Sequence, residues 1–551
     1  MTPVADGLAW ARPDRAGPAP AAPAAPRLFA WRDRGIGFAA GAALALTQPP
    51  YDFLPVLLLS FTTLVLLIDR SFRVRATPAS ARAAAAALGW CFGFGYFLAG
   101  LWWIGAAFLV DADKFAWLLP FAVAGLPAGL ALFFALATFL AAMVWPAGPL
   151  RLVALAAACT VSEWLRGVIL TGFPWNEIGY ALTGSAELMQ AASLVGVNGL
   201  TFLAVLVGAA PAALLDRRGA WRPFAGTAAL AGAAVLIAAL WIAGSERLRR
   251  AESLGSVPGL TLRLVQPAIA QKDKWNPALR EANFERLLTL SREGETPLGP
   301  GTLLIWPESS LPFFYQVTPL ARIEIADLLP PGAVLVTGAL RFEGDPAGDP
   351  RALDVYNSIF VVDAQGEVID AYDKVDLVPF GEFLPLQPWL EAIGLRQLTE
   401  LKGGFVAGSE RRTLTVGTAP AFVPLICYEV IFSGRIGGAG GDRPGWLLNL
   451  TNDAWFGDTA GPHQHLRQAR LRAVETGLPV VRAANTGISA IIDPYGQMVA
   501  GRPLDTAAVM DQKLPRAIAT TPFSIFRNAK LQPVFVLGLV PLFLMFAFRK
   551  L

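Results

Sequence analysis

The stretch PLICYEVIF, residues 424–432, places Cys427 at the end of an apolar run with the length and composition of a buried strand. Tyr428 and Glu429 follow the cysteine directly. Cysteines in such positions are usually inert core residues, because free cysteine is among the most buried residue types. A thiol with a pKa of about 8.5 is mostly protonated at neutral pH, so a nucleophilic Cys427 needs a neighbouring base or cation.

Two other strand ends carry groups that can supply the base and the cation. Glu308 follows an apolar strand in LLIWPESS, residues 303–310. Lys374 follows a strand in YDKVDLVPFGEFLP, residues 372–385, and the loop of that segment also holds Glu382. A carboxylate at the carboxyl end of a strand lies where open α/β sheets bind ligands. Taken singly, the three residues also fit a helix cap, a solvated lysine and an ordinary loop glutamate.

Histidine is the usual base for a thiol, and the chain has two, His463 and His465. A cysteine–histidine pair therefore stays open. A carboxylate whose pKa is raised by burial is the more economical base, and Glu308 fits this description. An HxH pair without a third ligand is weak support for a metal site, so we expect no metal and a structural role for both histidines at a helix start.

Residues 246–525 have the pattern of a water-soluble α/β domain, with sheets covered by helices. Short β-branched segments in this range are bounded by Gly, Pro and Asp. The predicted strands are 261–266, 302–307, 333–340, 358–363, 367–373, 421–428, 446–451, 479–484 and 489–494, and the predicted helices are 277–292 and 463–476.

The chain as a whole has the composition of a membrane protein. Of the 551 residues 54% are apolar and only 16% are charged, against roughly 25% charged residues in soluble domains. A membrane-spanning helix needs about 20 mostly apolar residues. The candidate runs are 35–51, 53–68, 83–110, 115–144, 151–171, 188–215 and 223–244, with an eighth at 531–548.

Arginines in the short loops predict the orientation of these helices, because cytoplasmic loops are enriched in positive charge. Arg70, Arg73, Arg75 and Arg82 follow the second run, whereas the connections after the first and third runs carry almost no positive charge. We therefore expect cytoplasmic termini and an α/β domain on the opposite side. The expected organisation is a disordered start at 1–27, seven helices within 28–245, the α/β domain at 246–525 and a last helix within 526–551.

Charge and cysteine content narrow the range of functions. A net charge of +3 gives no support to a nucleic-acid partner. Cys91, Cys159 and Cys427 form no CxxC pair, which argues against a disulfide framework or a zinc site. Within the membrane part, Glu163 and Arg166 are three residues apart on a predicted helix. The sequence does not distinguish between a functional site and a structural ion pair for these two residues.

Taken together, WPES around Glu308, YDKVDLVPFGE around Lys374 and ICYE around Cys427 resemble the nitrilase superfamily, whose members carry a Glu-Lys-Cys triad on a four-layer αββα sandwich. Residues 449–496 are similar to the C-terminal half of that superfamily. SEWLRGVILTGFPWNEIGY, residues 162–180, resembles the membrane signature of the apolipoprotein N-acyltransferase family, which joins eight transmembrane helices to a periplasmic nitrilase-like domain.

This resemblance implies a two-step acyl transfer that uses no cofactor. Cys427, deprotonated by Glu308, would take an acyl chain from a phospholipid, usually phosphatidylethanolamine. The thioester would then acylate the N-terminal α-amine of the diacylglyceryl-cysteine of an apolipoprotein. The resemblance also assigns Lys374 and Glu382 to the oxyanion and to positioning the base, Glu429 to orienting its neighbours, and the amide of Tyr428 to the oxyanion.

The resemblance further implies a multi-pass protein of the bacterial inner membrane with a periplasmic catalytic domain, and we expect a monomer. One alternative is a membrane-tethered nitrilase-type amidohydrolase, in which water resolves the thioester. Eight helices exceed what anchoring requires, which favours the transferase over the hydrolase. A second alternative is a transporter or receptor with a solute-binding domain, which would form no covalent intermediate.

Overall fold

The computed structural model describes residues 27–215, 222–345, 353–392, 397–399, 404–436 and 443–528. In its first part lie the helices α1 (Arg27–Leu44), α2 (Pro55–Val74), α3 (Pro78–Leu101), α4 (Ala112–Phe115), α5 (Leu119–Val144), α6 (Leu150–Arg166), α7 (Ala186–Met189), α8 (Ala192–Ala209) and α9 (Arg222–Arg249). The second part contains α10 (Gln271–Lys274), α11 (Arg280–Arg292), α12 (Pro319–Leu328), α13 (Gln387–Ala392), α14 (Ala460–Thr476) and α15 (Pro522–Asn528).

Five helical segments among the described residues are long and apolar enough to cross a membrane. They are Pro55–Val74, Pro78–Leu109, Ala112–Val144, Ala192–Ala213 and Phe224–Ser253. The first predicted run falls largely on α1, which carries Arg27, Arg32, Asp33 and Arg34 in its first eight residues. The fifth run falls on α6, which has 17 residues and buries Arg151, Glu163 and Arg166. The eighth run lies outside the described residues, so the full set of eight stays a prediction.

The strands of the second part form two sheets. They are β1 (Ser256–Gln266), β2 (Thr302–Ile305), β3 (Val334–Glu343), β4 (Asp354–Val362), β5 (Val368–Asp373), β6 (Phe422–Ile426), β7 (Trp446–Thr451), β8 (Val480–Ala484), β9 (Ser489–Ile492), β10 (Met498–Arg502) and β11 (Ala508–Pro515). Every predicted strand overlaps one of these, whereas β10 and β11 were not predicted because both are half-exposed and carry weak apolar patterns.

The first sheet has the order β11-β1-β2-β3-β4-β5, and the second has the order β10-β9-β8-β7-β6. Each sheet has a parallel centre, β1-β2-β3 in one and β6-β7-β8 in the other. Leu264, Ile305 and Val361 of the first sheet share one buried cluster with Leu450 and Val481 of the second. The two sheets therefore pack face to face, with the carboxyl ends of both parallel centres available for one site.

Helices cover the outer faces of both sheets. Leu287 of α11 and Ile325 of α12 pack with Leu304 and Leu335 on the first sheet. Leu471 of α14 belongs to the cluster that contains the outer face of the second sheet. This arrangement is the four-layer αββα sandwich that the sequence motifs imply.

The same cluster continues from α14 into the membrane helices, so the two parts of the chain share a core. Polar contacts reinforce this junction. The Gln464 Oε1 atom accepts hydrogen bonds from the indole of Trp103 at 3.1 Å and that of Trp175 at 2.9 Å. Farther along α14, Arg467 pairs with Asp52 at 2.7 Å. The α/β domain is thereby fixed against the loops at one end of the membrane helices.

Candidate active site

Three strand ends bring the predicted site residues together. Glu308 lies three residues beyond β2, Lys374 immediately follows β5, and Cys427 immediately follows β6. Because the two sheets face each other, the residue from β6 approaches the two residues from the other sheet. The charges of Glu308 and Lys374 both act on the Cys427 thiol. The three side chains therefore share one buried site.

Lys374 lies between two carboxylates. Its ammonium group is 2.9 Å from Glu382 Oε1 and 3.6 Å from Glu308 Oε1. Asn357 of β4 bridges the same two carboxylates, since its amide nitrogen donates to Glu308 Oε1 at 2.8 Å and to Glu382 Oε1 at 3.1 Å. The main-chain amide of Val378 donates to the other Glu382 oxygen at 2.8 Å. This network holds Glu308 and Lys374 in fixed orientations.

The electrostatics keep Lys374 charged. Burial acts to lower the pKa of this lysine, but Glu382, Glu308 and Cys427 outweigh burial and raise it well above its usual range. Lys374 is therefore an ammonium ion throughout the physiological range. A permanent positive charge in a site shielded from water is suited to stabilising a developing oxyanion.

Cys427 has a strained backbone and a protonated thiol. Its φ is 47°, a left-handed conformation that is uncommon for residues other than glycine. Burial and the charge of Glu308 raise the pKa of the Cys427 thiol, although Lys374 opposes them. The resting thiol is thus neutral, so a nucleophilic attack requires that a base remove the proton as the new bond forms.

Glu429 joins the cysteine turn to the lysine segment. One of its oxygens accepts from the main-chain amide of Ile426 at 2.8 Å. The other accepts from the Tyr372 hydroxyl at 2.8 Å and the Val375 amide at 2.9 Å. Burial raises the pKa of Glu429, while Arg411 and these hydrogen bonds oppose the rise. Glu429 therefore connects the residues before Cys427 with those on both sides of Lys374.

Tyr428 connects the cysteine turn to the membrane part. Its hydroxyl donates to the carbonyl oxygen of Gly172 at 2.8 Å, in the loop after α6. The ring also lines a cavity of about 460 Å³ with Val375, Leu377 and Phe432. Thr171 contributes to the lining from the membrane side, and Asp376 and Arg435 add an ion pair. A cavity with both apolar and polar walls thus adjoins the turn that carries Cys427.

Gly338 of β3 permits the chain to turn after Glu308. A Cβ atom at this position would lie 2.5 Å from Glu308 Cα and 2.5 Å from the Ser309 nitrogen. The amide of Gly338 donates to the Pro307 carbonyl at 3.2 Å, and its own carbonyl accepts from the Ser310 amide at 2.8 Å. A side chain here would therefore displace the main chain that carries Glu308.

A second polar network lies behind the cysteine. His465 Nε2 is 3.1 Å from the Cys427 carbonyl oxygen, and His465 Nδ1 is 2.9 Å from Asp453 Oδ1 and 3.2 Å from Arg482 Nη2. The Cys427 carbonyl can only accept, so Nε2 is the donor in this contact; burial and Arg482 lower the pKa of His465, while Asp453 opposes them. Thr451 donates to the same Asp453 oxygen at 3.0 Å.

Donor atoms of Cys427, Asp453 and His465 lie within 4.8 Å of one another, which is close enough to suggest a metal site. Arg482 Nη2, however, lies 2.6 Å from Asp453 Oδ2 and also contacts the imidazole. A guanidinium in this position already supplies the positive charge and would repel a metal cation. The group is better described as a hydrogen-bonded support for the cysteine turn.

The comparisons with known proteins match both parts of the chain. The model for the apolipoprotein N-acyltransferase N-terminal domain matches residues 40–210, and the carbon-nitrogen hydrolase model matches residues 261–521. An apolipoprotein N-acyltransferase of Rhodopseudomonas palustris is 47% identical over 503 residues, covering 90% of this chain and 91% of the relative. The chain belongs to the apolipoprotein N-acyltransferase family.

A second member of the apolipoprotein N-acyltransferase family, from Brucella suis, is 46% identical over 495 residues, which are 89% of this chain and 91% of the relative. Among solved structures, a mutant of an amidase of the nitrilase superfamily from Nesterenkonia AN1 is 18% identical, with a TM-score of 0.35, and covers 51% of this chain and 99% of that chain.

The Glu163–Arg166 pair lies within residues 40–210, which match the apolipoprotein N-acyltransferase N-terminal domain. The pair is buried, with 3.5 Å between Arg166 Nη2 and Glu163 Oε1. Glu163 also accepts from the Ile178 amide at 3.1 Å and the Thr201 hydroxyl at 2.8 Å, and Arg166 donates to the Trp175 carbonyl at 2.8 Å. These contacts brace the loop that carries Trp175, which favours the structural alternative.

Two polar residues of this site, Asn357 and Lys274, are not predicted from the sequence. Asn357 lies within a strand, where an asparagine gives no functional signal. Lys274 reads as a solvated charge in QKDKW, yet it is buried and its ammonium donates to the Glu308 carbonyl oxygen at 2.9 Å. For His465, the sequence leaves a cysteine–histidine pair open and favours a structural role at a helix start; the residue lies within α14, and its Nε2 atom contacts the Cys427 main-chain carbonyl. The chain contains only two histidines, and this scarcity was the one sequence signal that pointed to His465.

Proposed function

We propose that this protein is an apolipoprotein N-acyltransferase that acts through a thioester at Cys427. The observation that carries the proposal is the shared buried site of Cys427, Glu308 and Lys374 in a chain of this family. The phospholipid acyl donor, taken here as phosphatidylethanolamine, and the diacylglyceryl apolipoprotein acceptor follow from the family. The protein is an enzyme, and its catalytic domain is the αββα sandwich.

In the first step, the Cys427 sulfur attacks the carbonyl carbon of the donor ester. Glu308 accepts the thiol proton as the C–S bond forms. Lys374 stabilises the oxyanion of the tetrahedral intermediate, with the Tyr428 amide as a further donor. The C–O bond of the ester then breaks, and the proton passes from Glu308 to the leaving oxygen of the lysophospholipid.

In the second step, the α-amine of the lipoprotein attacks the thioester carbon. Glu308 accepts a proton from the amine as the C–N bond forms. The C–S bond then breaks, and the proton passes from Glu308 to the sulfur, which regenerates the thiol and the carboxylate. Glu382 positions Lys374 through their 2.9 Å contact. Glu429 orients the cysteine turn through its bonds to Ile426 and Val375. A covalent intermediate divides one difficult transfer into two easier ones.

The cavity beside Tyr428 supports a lipid substrate. Val375, Leu377 and Phe432 of the catalytic domain give it an apolar wall, Thr171 lines it from the membrane part, and its volume is about 460 Å³. An acyl chain entering from the bilayer would pass between the two parts of the protein toward Cys427. Both substrates are anchored in the membrane, so neither requires a soluble carrier.

The membrane arrangement is part of the proposal. We assign residues 1–27 to a cytoplasmic start, 28–245 to seven helices, 246–525 to the periplasmic catalytic domain and 526–551 to a last helix. The five apolar segments support a membrane-embedded protein. The positive loops support the inner-membrane orientation, and the proposed working unit is a monomer.

The test is intact-mass measurement of the full-length protein in detergent with phosphatidylethanolamine of defined acyl chains. We expect one added acyl group, which disappears when a diacylglyceryl-cysteine peptide is supplied and reappears on that peptide. Cys427→Ala should prevent the adduct, whereas the matched control Cys91→Ala should retain it. Absence of an adduct on the wild-type protein would reject the thioester mechanism.

The same experiment separates the alternatives. Release of free fatty acid without acylation of the peptide would indicate a membrane-tethered hydrolase. A transporter or receptor would bind lipid without any covalent mass change. Chemical crosslinking in detergent and native mass measurement test the monomer directly.

A further inference from the structure

Lys274 is a second buried lysine at the site. Only 5% of its surface is exposed, although it belongs to the short helix α10, whose Lys272 is exposed. Its Nζ atom donates to the main-chain carbonyl of Glu308 at 2.9 Å. The charges of Glu308 and Cys427 both act on this ammonium group. Within the described part of the chain, it forms no ion pair shorter than 4.0 Å.

The segment before Lys274 is fixed to the opposite sheet. Asn485 donates to the Ile269 carbonyl at 2.7 Å and accepts from the Ile269 amide at 3.0 Å. Gln271 accepts from Asn452 at 2.7 Å, and Asn452 lies directly after β7. Lys274 is therefore held at the site by contacts to both sheets. These contacts fix the main chain from which its side chain extends.

The charges of the site balance only when Lys274 is counted. Glu308 and Glu382 contribute two buried negative charges, while Lys374 contributes one positive charge that both carboxylates share. A buried charge without compensation is costly. Without a second cation, the site would carry one uncompensated negative charge both before and after the Cys427 proton passes to Glu308.

We propose that Lys274 is a positioning residue for acyl transfer, whose ammonium group fixes the Glu308 peptide and supplies the second positive charge of the site. The inference adds to the proposed function and relies on it for the identity of the substrate. The local geometry agrees with such a role, because Ser309 has a φ of 48° and the peptide between Glu308 and Ser309 needs a fixed orientation.

Lys274 differs from Lys374 in when it carries its charge. Burial lowers the pKa of Lys274 to about 8, with Glu308 and Cys427 opposing burial. The other charged groups of the cluster are Lys374 and Glu382. Below pH 8 the Lys274 ammonium favours the Cys427 thiolate, and above pH 8 this contribution is progressively lost.

The pH dependence gives a test that a purely structural lysine would fail. We would measure the rate at which iodoacetamide alkylates Cys427 in the full-length protein between pH 6 and 10, using peptide mass to separate Cys427 from Cys91 and Cys159. A neighbouring charge changes a pKa by about 1–3 units, so Lys274→Met should react about 10-fold or more slowly than the wild type below pH 7.5. That ratio should approach 1 above pH 9.5.

Two further variants make the comparison decisive. Lys274→Arg keeps its charge at high pH, so its rate relative to the wild type should rise as pH increases above 8. Lys272→Met removes an exposed lysine of the same helix and should match the wild type at every pH. Ratios that are independent of pH for both Lys274 variants, or ratios near 1 throughout, would overturn the proposal.

Alkylation needs no phospholipid, so its result does not depend on the proposed function. The same variants are then tested for acyl adduct formation with phosphatidylethanolamine. A normal alkylation profile with no acyl adduct in the wild type would reject the transferase and retain the role of Lys274 in thiolate formation. Adduct formation together with pH-independent alkylation ratios would support the transferase and reject the role of Lys274.

Discussion

The Nε2 atom of His465 lies 3.1 Å from the main-chain carbonyl oxygen of Cys427, so an imidazole from α14 supports the backbone of the candidate nucleophile. The adjacent residue on α14, Gln464, binds the indoles of Trp103 and Trp175 in the membrane part. Two consecutive side chains of one helix therefore connect the cysteine turn with the membrane-side loops. The membrane part contributes to the geometry of the site as well as to anchoring.

Removal of the imidazole should impair acylation. We expect His465→Ala to form the Cys427 adduct about 10-fold to 100-fold more slowly, because the strained cysteine turn loses a hydrogen-bond donor. His465→Gln retains a donor and should recover part of the rate, which separates positioning from simple loss of packing. The control is His463→Ala on the half-buried side of the same helix, with a rate close to that of the wild type. Equal defects in His465→Gln and His465→Ala would contradict this role.

The carboxylate and ammonium of the site should differ in their effects. Glu308→Gln removes the base, and we expect acylation to fall by at least about 100-fold. Lys374→Met removes the oxyanion partner, with an expected loss of about 100-fold to 1,000-fold. The measurement is the rate of adduct formation by quenched intact-mass analysis. Glu281→Gln, on the exposed face of α11, serves as the control. A Glu308→Gln variant that acylates at the wild-type rate would assign the base elsewhere.

Glu382 should act through Lys374. Its carboxylate is the nearer of the two partners and a main cause of the raised Lys374 pKa. We expect Glu382→Gln to reduce acylation about 10-fold near neutral pH, with a larger defect at high pH, because the pKa of Lys374 falls. The double variant Lys374→Arg/Glu382→Gln should not show the additional loss of acylation at high pH that Glu382→Gln shows. Arginine stays protonated in that range. An unchanged pH profile for Glu382→Gln would argue against this route.

The Asp453 network should stabilise the fold in a pH-dependent way. Burial acts to raise the pKa of Asp453, but Arg482 and His465 outweigh burial and lower it far below its usual range. The unfolded carboxyl has a pKa of about 3.9. The stabilisation is therefore complete above that value and is lost as the pH falls through the lower folded pKa.

Thermal unfolding in detergent measures this contribution. The difference in Tm between the wild type and Asp453→Asn should be constant from pH 5 to 7 and should shrink below about pH 4. The exposed Asp458→Asn should show no such difference. A Tm difference that grows as the pH falls would have the wrong sign for this network.

The junction between the two parts should depend on Gln464. Besides the two indoles, its amide nitrogen donates to the carbonyl oxygens of Gly100 at 3.3 Å and Pro49 at 3.4 Å. Gln464→Leu removes the hydrogen-bond partner of the buried Trp175 indole and of the Pro49 carbonyl, so we expect a loss of about 1–3 kcal/mol in stability and a slower acylation step. Gln497→Leu, an exposed position in the turn before β10, is the matched control. Loss of stability with an unchanged acylation rate would limit Gln464 to a structural role.

Much of the site could be predicted because its key residues stand at strand ends. Glu308, Lys374 and Cys427 each follow an apolar strand, and the strand pattern is visible without knowledge of the fold. The αββα arrangement came from the resemblance, because apolar alternation does not specify how two sheets pair. The half-exposed strands β10 and β11 escaped prediction since neither has a clear apolar pattern.

The amino-acid sequence by itself determined the two compositions of the chain, the positions of the strands and the three motifs that align the candidate triad. Only the tertiary structure decided which ordinary residues join that triad. Lys274, Asn357 and His465 gain their roles from burial and from atoms more than 30 residues away along the chain. Charge balance and hydrogen bonding depend on distances in space, and sequence spacing does not encode those distances for separate elements.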